Sequence, residues 1–573
     1  MNQTIIAIII FLIYWALVNM LKNRGILEKY NISAHGPLLM VRTTQGQKLL
    51  DFLAKPKKFW RLFANIGIPL MFIGMIIMSL IIMLNFVMPF IVGTPEPGQL
   101  HEPQNLLLIP GVNEFIPFTW GLIALIITLI VHEFSHAILA KVENVKVKSM
   151  GVLLALIPVG GFAELDEEAL FGISKSDELK QKKESIGTIE DRIINTDKNV
   201  GGGIKDKIKS ISVNAKARIL AAGVMSNFVV TLLAFLLLFG PVLSGIAPVD
   251  NAVIISVDEN SNSYEAGLRQ NMVIIQINDN AVRSISDIES HMEGVQPGTN
   301  IEIYASYDGD VSNHNVKTVE ALSTKDVAGV YVQSVVPNTP AENAGMEAGM
   351  HIIKIDGVSV QSPEEFMVIM QETMPHQVID VDVLTYEMEV KQFNIQLADR
   401  NGRGFLGVST RGGGQHIESL GLTLIEFPAD AYLNMLNDIP SNLNSIRGWL
   451  LLFALPIIGI AEGGFPGFND MLMQFYEPVG WAESLGVGIF WIANILLWTG
   501  WLNFSVGLFN CIPAIPLDGG HVFKGYFEYS IKKLTKNDLM SQNIAGIVSG
   551  LLSIFVLLSF AFMIFGPFIV HGF

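Results

Sequence analysis

Six stretches of this chain are too long and too apolar for the surface of a water-soluble protein: residues 4–20, 64–93, 118–140, 219–246, 486–509 and 543–569. A helix needs about 20 mostly apolar residues to cross the hydrocarbon of a bilayer, and a single segment can cross it only with every backbone group bonded internally. The expected fold is therefore a polytopic α-helical membrane protein with about six transmembrane helices, and the lipid bilayer is its first partner. Of the 573 residues, 50% are hydrophobic and 16% charged, which leaves room for water-soluble parts as well. The net charge of −16 argues against nucleic acid as a partner. The single cysteine, Cys511, excludes a disulfide framework and a cysteine-built zinc cluster. The first run has no charged leader or small-residue cleavage site and is expected to be a retained span.

The loops set an orientation. Lys22, Arg24, Lys29, Arg42, Lys48, Lys55, Lys57, Lys58 and Arg61 follow the first run, Lys141, Lys146 and Lys148 the third, and Lys532, Lys533 and Lys536 precede the last. Positive loops stay cytoplasmic, so residues 248–440 are expected outside the cytoplasm, with the third and fifth spans running inward. A seventh apolar run, 449–468, is broken by Ala461-Glu462-Gly463-Gly464 and is read as re-entrant or interfacial. The polar stretch 171–216, with its Gly201-Gly202-Gly203 hinge, reads as a cytoplasmic linker or a helix lying on the membrane.

Between the fourth and fifth spans the chain repeats itself. "SYEAGLRQNMVIIQINDNAV" from Ser263 aligns with "PAENAGMEAGMHIIKIDGVSV" from Pro340: Gly267 matches Gly345, Met272 matches Met350, and Ile274, Ile275 and Ile277 match Ile352, Ile353 and Ile355. Each copy reads as a short helix, a buried strand, a tight turn and a second strand. The second copy, with its Asp356-Gly357 turn, resembles the PDZ domains of bacterial periplasmic and membrane proteases. That resemblance implies two α/β PDZ-like domains, at 249–323 and 326–398. Such domains take an extended peptide or a C-terminus as an added strand, or serve as bulk that excludes large proteins. The later "GRGFLGV" from Gly402 supplies a carboxylate-capturing loop if the domains are circularly permuted.

The chemistry sits in "TLIVHEFSHAILAK", Thr128 to Lys141. Ionisable residues at bilayer depth cost about 2.5–3.5 kcal/mol each and call for a partner, a cavity or a function. His132 and His136, at i and i+4, share one helix face, where both imidazoles can bind one zinc with Glu133 beside it to take a proton from bound water. A catalytic zinc needs a third protein ligand. The nearest downstream acids are Glu143, Glu164 and Asp166, and the stronger candidate is "NCIPAIPLDGGH", Asn510 to His521, at the end of the fifth span.

HExxH in one span and N-x-x-P-x-x-P-L-D-G-G in a later one, with PDZ-like domains between, resembles the site-2 protease family of intramembrane zinc metalloproteases. The second motif maps without a gap onto Asn510, Pro513, Pro516, Leu517, Asp518, Gly519 and Gly520. "LIPVGGFAELD" resembles the family's re-entrant hairpin, and "AGVMSNFVVT" its A-G-P-x-x-N-F segment, with Val224 where proline is usual. The resemblance implies one Zn²⁺ held by His132, His136 and Asp518, Glu133 as general base, Asn510 as a donor to the oxyanion, and transmembrane proteins as substrates. A substrate helix must be unwound to expose its amides, and the hairpin at Gly160, Gly161 and Phe162 offers a strand for the unwound segment to pair with. His521 is expected beside the site rather than on the metal. The implied setting is a plasma membrane, with an archaeal source as the expectation, and the site nearer the cytoplasmic face.

The implied organisation is 1–117 N-terminal helices and basic loop, 118–248 first half of the membrane core, 249–323 and 326–398 PDZ-like domains, 399–484 linker, and 485–573 second half of the core. Three other readings compete. A prenyl-protein endopeptidase carries HExxH in a span but lacks the Asp518 motif. A zinc transporter needs a second metal-binding helix. An inactive scaffold binding proteins through its PDZ-like domains has no need of Glu133.

Overall fold

The computed structural model describes residues 3–43, 46–95, 101–106, 108–155, 157–166, 211–249, 251–258, 261–307, 309–319, 324–326, 329–336, 339–347, 350–360, 363–384, 390–400, 402–412, 415–417, 419–457 and 465–572. Residues 171–210 of the expected linker at 171–216, including its glycine hinge, and residues 458–464 of the seventh apolar run lie outside these. The chain divides into two units, residues 1–240, 446–467 and 492–573, and residues 241–445 and 468–491.

The first unit holds the apolar helices, together with the polar helix that starts at Asp518. In chain order they are α1 (Gln3–Asn23), α2 (Lys57–Val92), α3 (Phe118–Val142), α4 (Val213–Leu237), α5 (Gly488–Asn510), α6 (Asp518–Thr535) and α7 (Asp538–His571). Among the described residues, five helical stretches are long and apolar enough to cross a membrane: α2, α3, α4 with its continuation to Gly245, α5 and α7. The expected first span is helical as α1, 21 residues long. Among the described residues the seventh apolar run carries a nine-residue helix, Ile446–Ala454, about 13 Å long at 1.5 Å per residue, a helix too short to cross by itself.

Many outward positions of α2 and α7 are apolar, such as Ile76, Phe90, Leu557 and Ile569, as expected where lipid is the solvent. The inward faces use small residues. Gly67 of α2 leaves room for Met225 of α4, where a Cβ would lie 2.8 Å from the Met225 Cβ, and Gly74 does the same for Cys511.

Four strands complete this unit as one antiparallel sheet, ordered β1 (Ile32–His35), β2 (Leu38–Thr43), β3 (Val147–Ala155) and β4 (Ile157–Leu165). The basic N-terminal loop is therefore not plain loop. Its hairpin extends the one at 147–165, with Leu39 opposite Leu154 and Val41 opposite Val152. Gly151 permits this crowding, since a Cβ there would lie 2.1 Å from the Val41 carbonyl oxygen and 2.5 Å from the Phe162 ring.

Among the described residues the second unit contains two large sheets and two two-stranded ones. The larger runs Asp310–Lys317, Asn300–Tyr307, Val273–Ile277, Ala252–Val257, Leu422–Glu426, Gln415–Ile417, Thr324–Asp326. The other runs Val390–Gln396, Val378–Leu384, His351–Ile355, Val330–Val335, Val408–Gly412. The internal repeat is visible in both. Ile274 and Ile352 are fully buried in their respective cores, Gly267 and Gly345 both have positive φ, and Asn278 and Asp356 turn their strands at φ 50° and 49°. The larger sheet extends beyond the expected 249–323, because strands from 415–426 close it. The segment 399–484 is correspondingly more than a linker.

Candidate metal centre

Helix α3 carries three ionisable residues within one turn and a half, and the rest of the unit is arranged around them. His132 and His136 are buried, and Glu133 is half-buried. Their Nε2 atoms stand 3.1 Å apart, and the third corner is Asp518, whose Oδ2 lies 3.3 Å from His132 Nε2 and 3.2 Å from His136 Nε2. Asp518 arrives there because α5 ends at Asn510 and a tight loop, 511–517, turns the chain into α6, which starts at Asp518 itself. The turn depends on glycine: a Cβ on Gly519 would lie 2.4 Å from the Cys511 carbonyl oxygen, and one on Gly520 2.4 Å from the Ala514 carbonyl carbon.

These three side chains fit a metal ion. Ligands of a tetrahedral zinc at about 2.0–2.1 Å stand about 3.3–3.4 Å apart, close to the observed triangle. Asp518 Oδ2 is a buried acceptor without a hydrogen-bond partner, a costly arrangement for an anion unless a cation satisfies it. Among the described residues these three form the cluster of His, Cys, Asp or Glu able to hold a metal. The earlier alternatives for a third ligand are engaged elsewhere. Glu143 pairs with Arg61 and Arg218, Glu164 accepts from Ser149, and Asp166 pairs with Lys148.

Helix α4 closes one side. His136 Nδ1 is 2.8 Å from the Ile219 carbonyl oxygen, and His132 Nδ1 is 3.2 Å from the Asn227 side-chain amide. Between them, a Cβ on Gly223 would sit 2.4 Å from His136 Nε2 and 2.8 Å from His132 Cε1. The sequence marks this segment only as "AGVMSNF"; neither Gly223 nor Asn227 carries a signal of its role without its neighbours.

Strand β4 closes another side. Gly161 lies against Glu133, where a Cβ would come within 2.6 Å of the Glu133 Cγ. In the sheet Gly160 is opposite Leu153, Gly161 opposite Val152 and Phe162 opposite Gly151. Asn510 stands at the last turn of α5, and its amide nitrogen donates to the Val506 carbonyl of its own helix at 3.0 Å. His521 follows one turn into α6, outside the cluster of three.

This chain is similar to known proteins. The profile described as Peptidase family M50 matches residues 120–558. The regulator of sigma E protease of Haemophilus influenzae is 20% identical over 443 residues, covering 71% of this chain and 90% of that protein. The regulator of sigma-E protease RseP of Escherichia coli is 21% identical with the same coverage, 71% and 90%. An uncharacterised protein of Methanocaldococcus jannaschii is 25% identical over 322 residues, 55% of this chain and 71% of that one. With three-quarters of its length under the family profile, the chain belongs to peptidase family M50, the site-2 proteases, a family of membrane zinc metalloproteases.

Proposed function

We propose that this protein hydrolyses a peptide bond within or near the transmembrane helix of a membrane-protein substrate, using one Zn²⁺ held by His132, His136 and Asp518. The observation that carries the reading is the convergence of those three ligand atoms within 4.8 Å of one another, on helices that also present Glu133. When bound, zinc lowers the pKa of a coordinated water toward neutrality and polarises the scissile carbonyl. Glu133 takes the water's proton and returns it to the leaving amine. Asn510 uses one amide N–H on Val506 and keeps a second for the developing oxyanion.

Helical substrates hide their amides in internal hydrogen bonds, so a segment must be opened and its backbone satisfied elsewhere. Strand β4 ends its sheet, and an unwound segment added along it would lie beside Glu133, next to Gly160, Gly161 and Phe162. In this reading α1 crosses the membrane as a sixth span, the metal lies nearer the cytoplasmic side, and residues 241–445 lie outside the cytoplasm of a plasma membrane.

The two large sheets of the second unit act as PDZ-like domains that filter or dock substrates. Strand 408–412 ends its sheet, whereas the corresponding strand 422–426 is covered by the chain's own 415–417. Peptide addition is therefore assigned to the second domain, after the Gly404–Gly407 loop. A labelled peptide with a free C-terminus, titrated beside its amidated form, tests this, with equal or absent binding counting against it.

The decisive experiment is cleavage of single-span model substrates by purified protein in detergent, with zinc content measured for the native protein, Glu133→Gln and Asp518→Ala. The reading expects native protein to cut within the span, Glu133→Gln to stay loaded but inactive, and Asp518→Ala to lose zinc. Native protein that neither binds zinc nor cuts any substrate would leave a scaffold function as the better account.

A further inference from the structure

We infer that Asn227 is a positioning residue that fixes His132 in the tautomer a metal ligand needs, its side-chain oxygen accepting the proton on His132 Nδ1. The inference rests on the metal reading above and adds a residue to it.

A neutral imidazole that gives the lone pair of one ring nitrogen to a metal carries its proton on the other, and the group facing that proton must be an acceptor. For His136 the requirement is met without ambiguity. Its Nδ1 faces the Ile219 carbonyl oxygen at 2.8 Å, which can only accept, so the proton is on Nδ1 and the Nε2 lone pair faces Asp518.

For His132 the group at Nδ1 is the Asn227 amide, and an amide can face either way. Asn227 is fully buried; its nitrogen is placed 3.2 Å from His132 Nδ1 while its Oδ1 has no partner. Amide oxygen and nitrogen are nearly the same size, and the choice between them belongs to the hydrogen-bond network. With nitrogen toward the ring, Nδ1 must accept and the proton moves to Nε2, where it points at Asp518 Oδ2, 3.3 Å away. His132 would then be a donor to Asp518 and not a ligand. Turning the amide over gives the orphaned Oδ1 the ring N–H and leaves the Nε2 lone pair facing the site.

The geometry of α4 supports a shared design. Ile219, Gly223 and Asn227 are spaced four residues apart on one face, opposite His136 and His132, which are four apart on α3. The outer two positions meet the two Nδ1 atoms. The middle one is the glycine whose Cβ would collide with both rings. One helix thus sets both tautomers, His136 through backbone and His132 through a side chain.

The test is zinc affinity of the full-length protein in detergent, by competition with a chromophoric chelator, for native protein, Asn227→Leu and Asn227→Asp. The visible absorption of Co²⁺-loaded samples reports the ligand field, and unfolding of the metal-free forms reports structure. Leucine removes the acceptor and should weaken zinc about 10–100-fold. Aspartate can only accept, so it should hold zinc within about threefold of native and keep the native Co²⁺ spectrum. The inference is overturned if leucine binds as tightly as asparagine, or if aspartate loses zinc as leucine does, because that result means the amide was needed as a donor. Should leucine fail to fold, the aspartate arm decides alone. Native protein that binds no metal would bring down the metal reading itself, an outcome distinct from a loss confined to Asn227→Asp.

Discussion

Gly223 faces His136 so closely that a single carbon added to the glycine would lie 2.4 Å from the imidazole Nε2. Helix α4 can lie against the histidines only because this position has no side chain. Gly223→Ala is expected to push either the helix or the ring away, at about 1–3 kcal/mol for the overpacking. Zinc affinity should fall at least about tenfold. Metal content after dialysis against a weak chelator measures it, and unchanged content would show that the ring has room to move.

Gly161 makes the same kind of contact with Glu133. An alanine there would place its Cβ 2.6 Å from the Glu133 Cγ and displace the carboxylate without touching a ligand. A shift of about 1 Å in a catalytic group can cost about 100-fold, so kcat should drop by about 10–100-fold with zinc content unchanged. Steady-state cleavage with metal analysis on the same preparation separates this from a metal defect.

Glu143, just beyond α3, joins three helices. Its Oε1 accepts from Arg61 Nε of α2 at 3.0 Å and from Arg218 Nε of α4 at 2.9 Å, and its side chain is 6% exposed. Burial pushes the Glu143 carboxyl up, and the Arg218 and Arg61 guanidiniums together outweigh it, leaving the group below the usual carboxylate range. A carboxylate depressed in the folded state contributes stability above its unfolded pKa of about 4.3, and that contribution is lost as pH falls through the folded value. Glu143→Ala should cost about 2–4 kcal/mol at pH 7, and the gap to native should narrow as the pH is taken below about 4. Thermal unfolding in detergent across that range tests both, and a pH-independent gap would count against the pairing.

Gly519 places Asp518. A Cβ would lie 2.4 Å from the Cys511 carbonyl oxygen, which is backbone and cannot swing aside. Gly519→Ala is expected to move the start of α6, at about 1–3 kcal/mol, and to lose zinc as Asp518→Ala does. A variant that keeps native metal content would show that the loop at 511–517 yields instead.

The parts of this molecule legible in the sequence are those fixed by local pattern. The apolar runs became helices because their backbone can be satisfied only internally. His132 and His136 share a face because i and i+4 always do on a helix, and Asp518 was found through a contiguous motif. What escaped were pairings between distant segments. Residues 32–43 read as a basic loop, yet they form a hairpin whose partner strand begins at Val147; nothing near Leu39 announces Leu154. Asn227 stands 95 residues from His132, and Gly223 is one small residue among several in its helix. A contact made by the absence of a side chain leaves no mark in the sequence until the neighbour is known.

Strand 252–257 pairs on one side with 273–277 and on the other with 422–426, and the whole of the other sheet is encoded before that second partner. During synthesis at about 5–20 residues per second, the second partner follows strand 252–257 by about 10–30 s. The inner sheet can therefore close while the outer one is still missing its neighbour, and for that interval strand 252–257 presents an open edge able to pair with another chain. The protein is born from the inside out in this region, and a ribosomal pause between residues 330 and 420 would lengthen the period in which it most needs a chaperone.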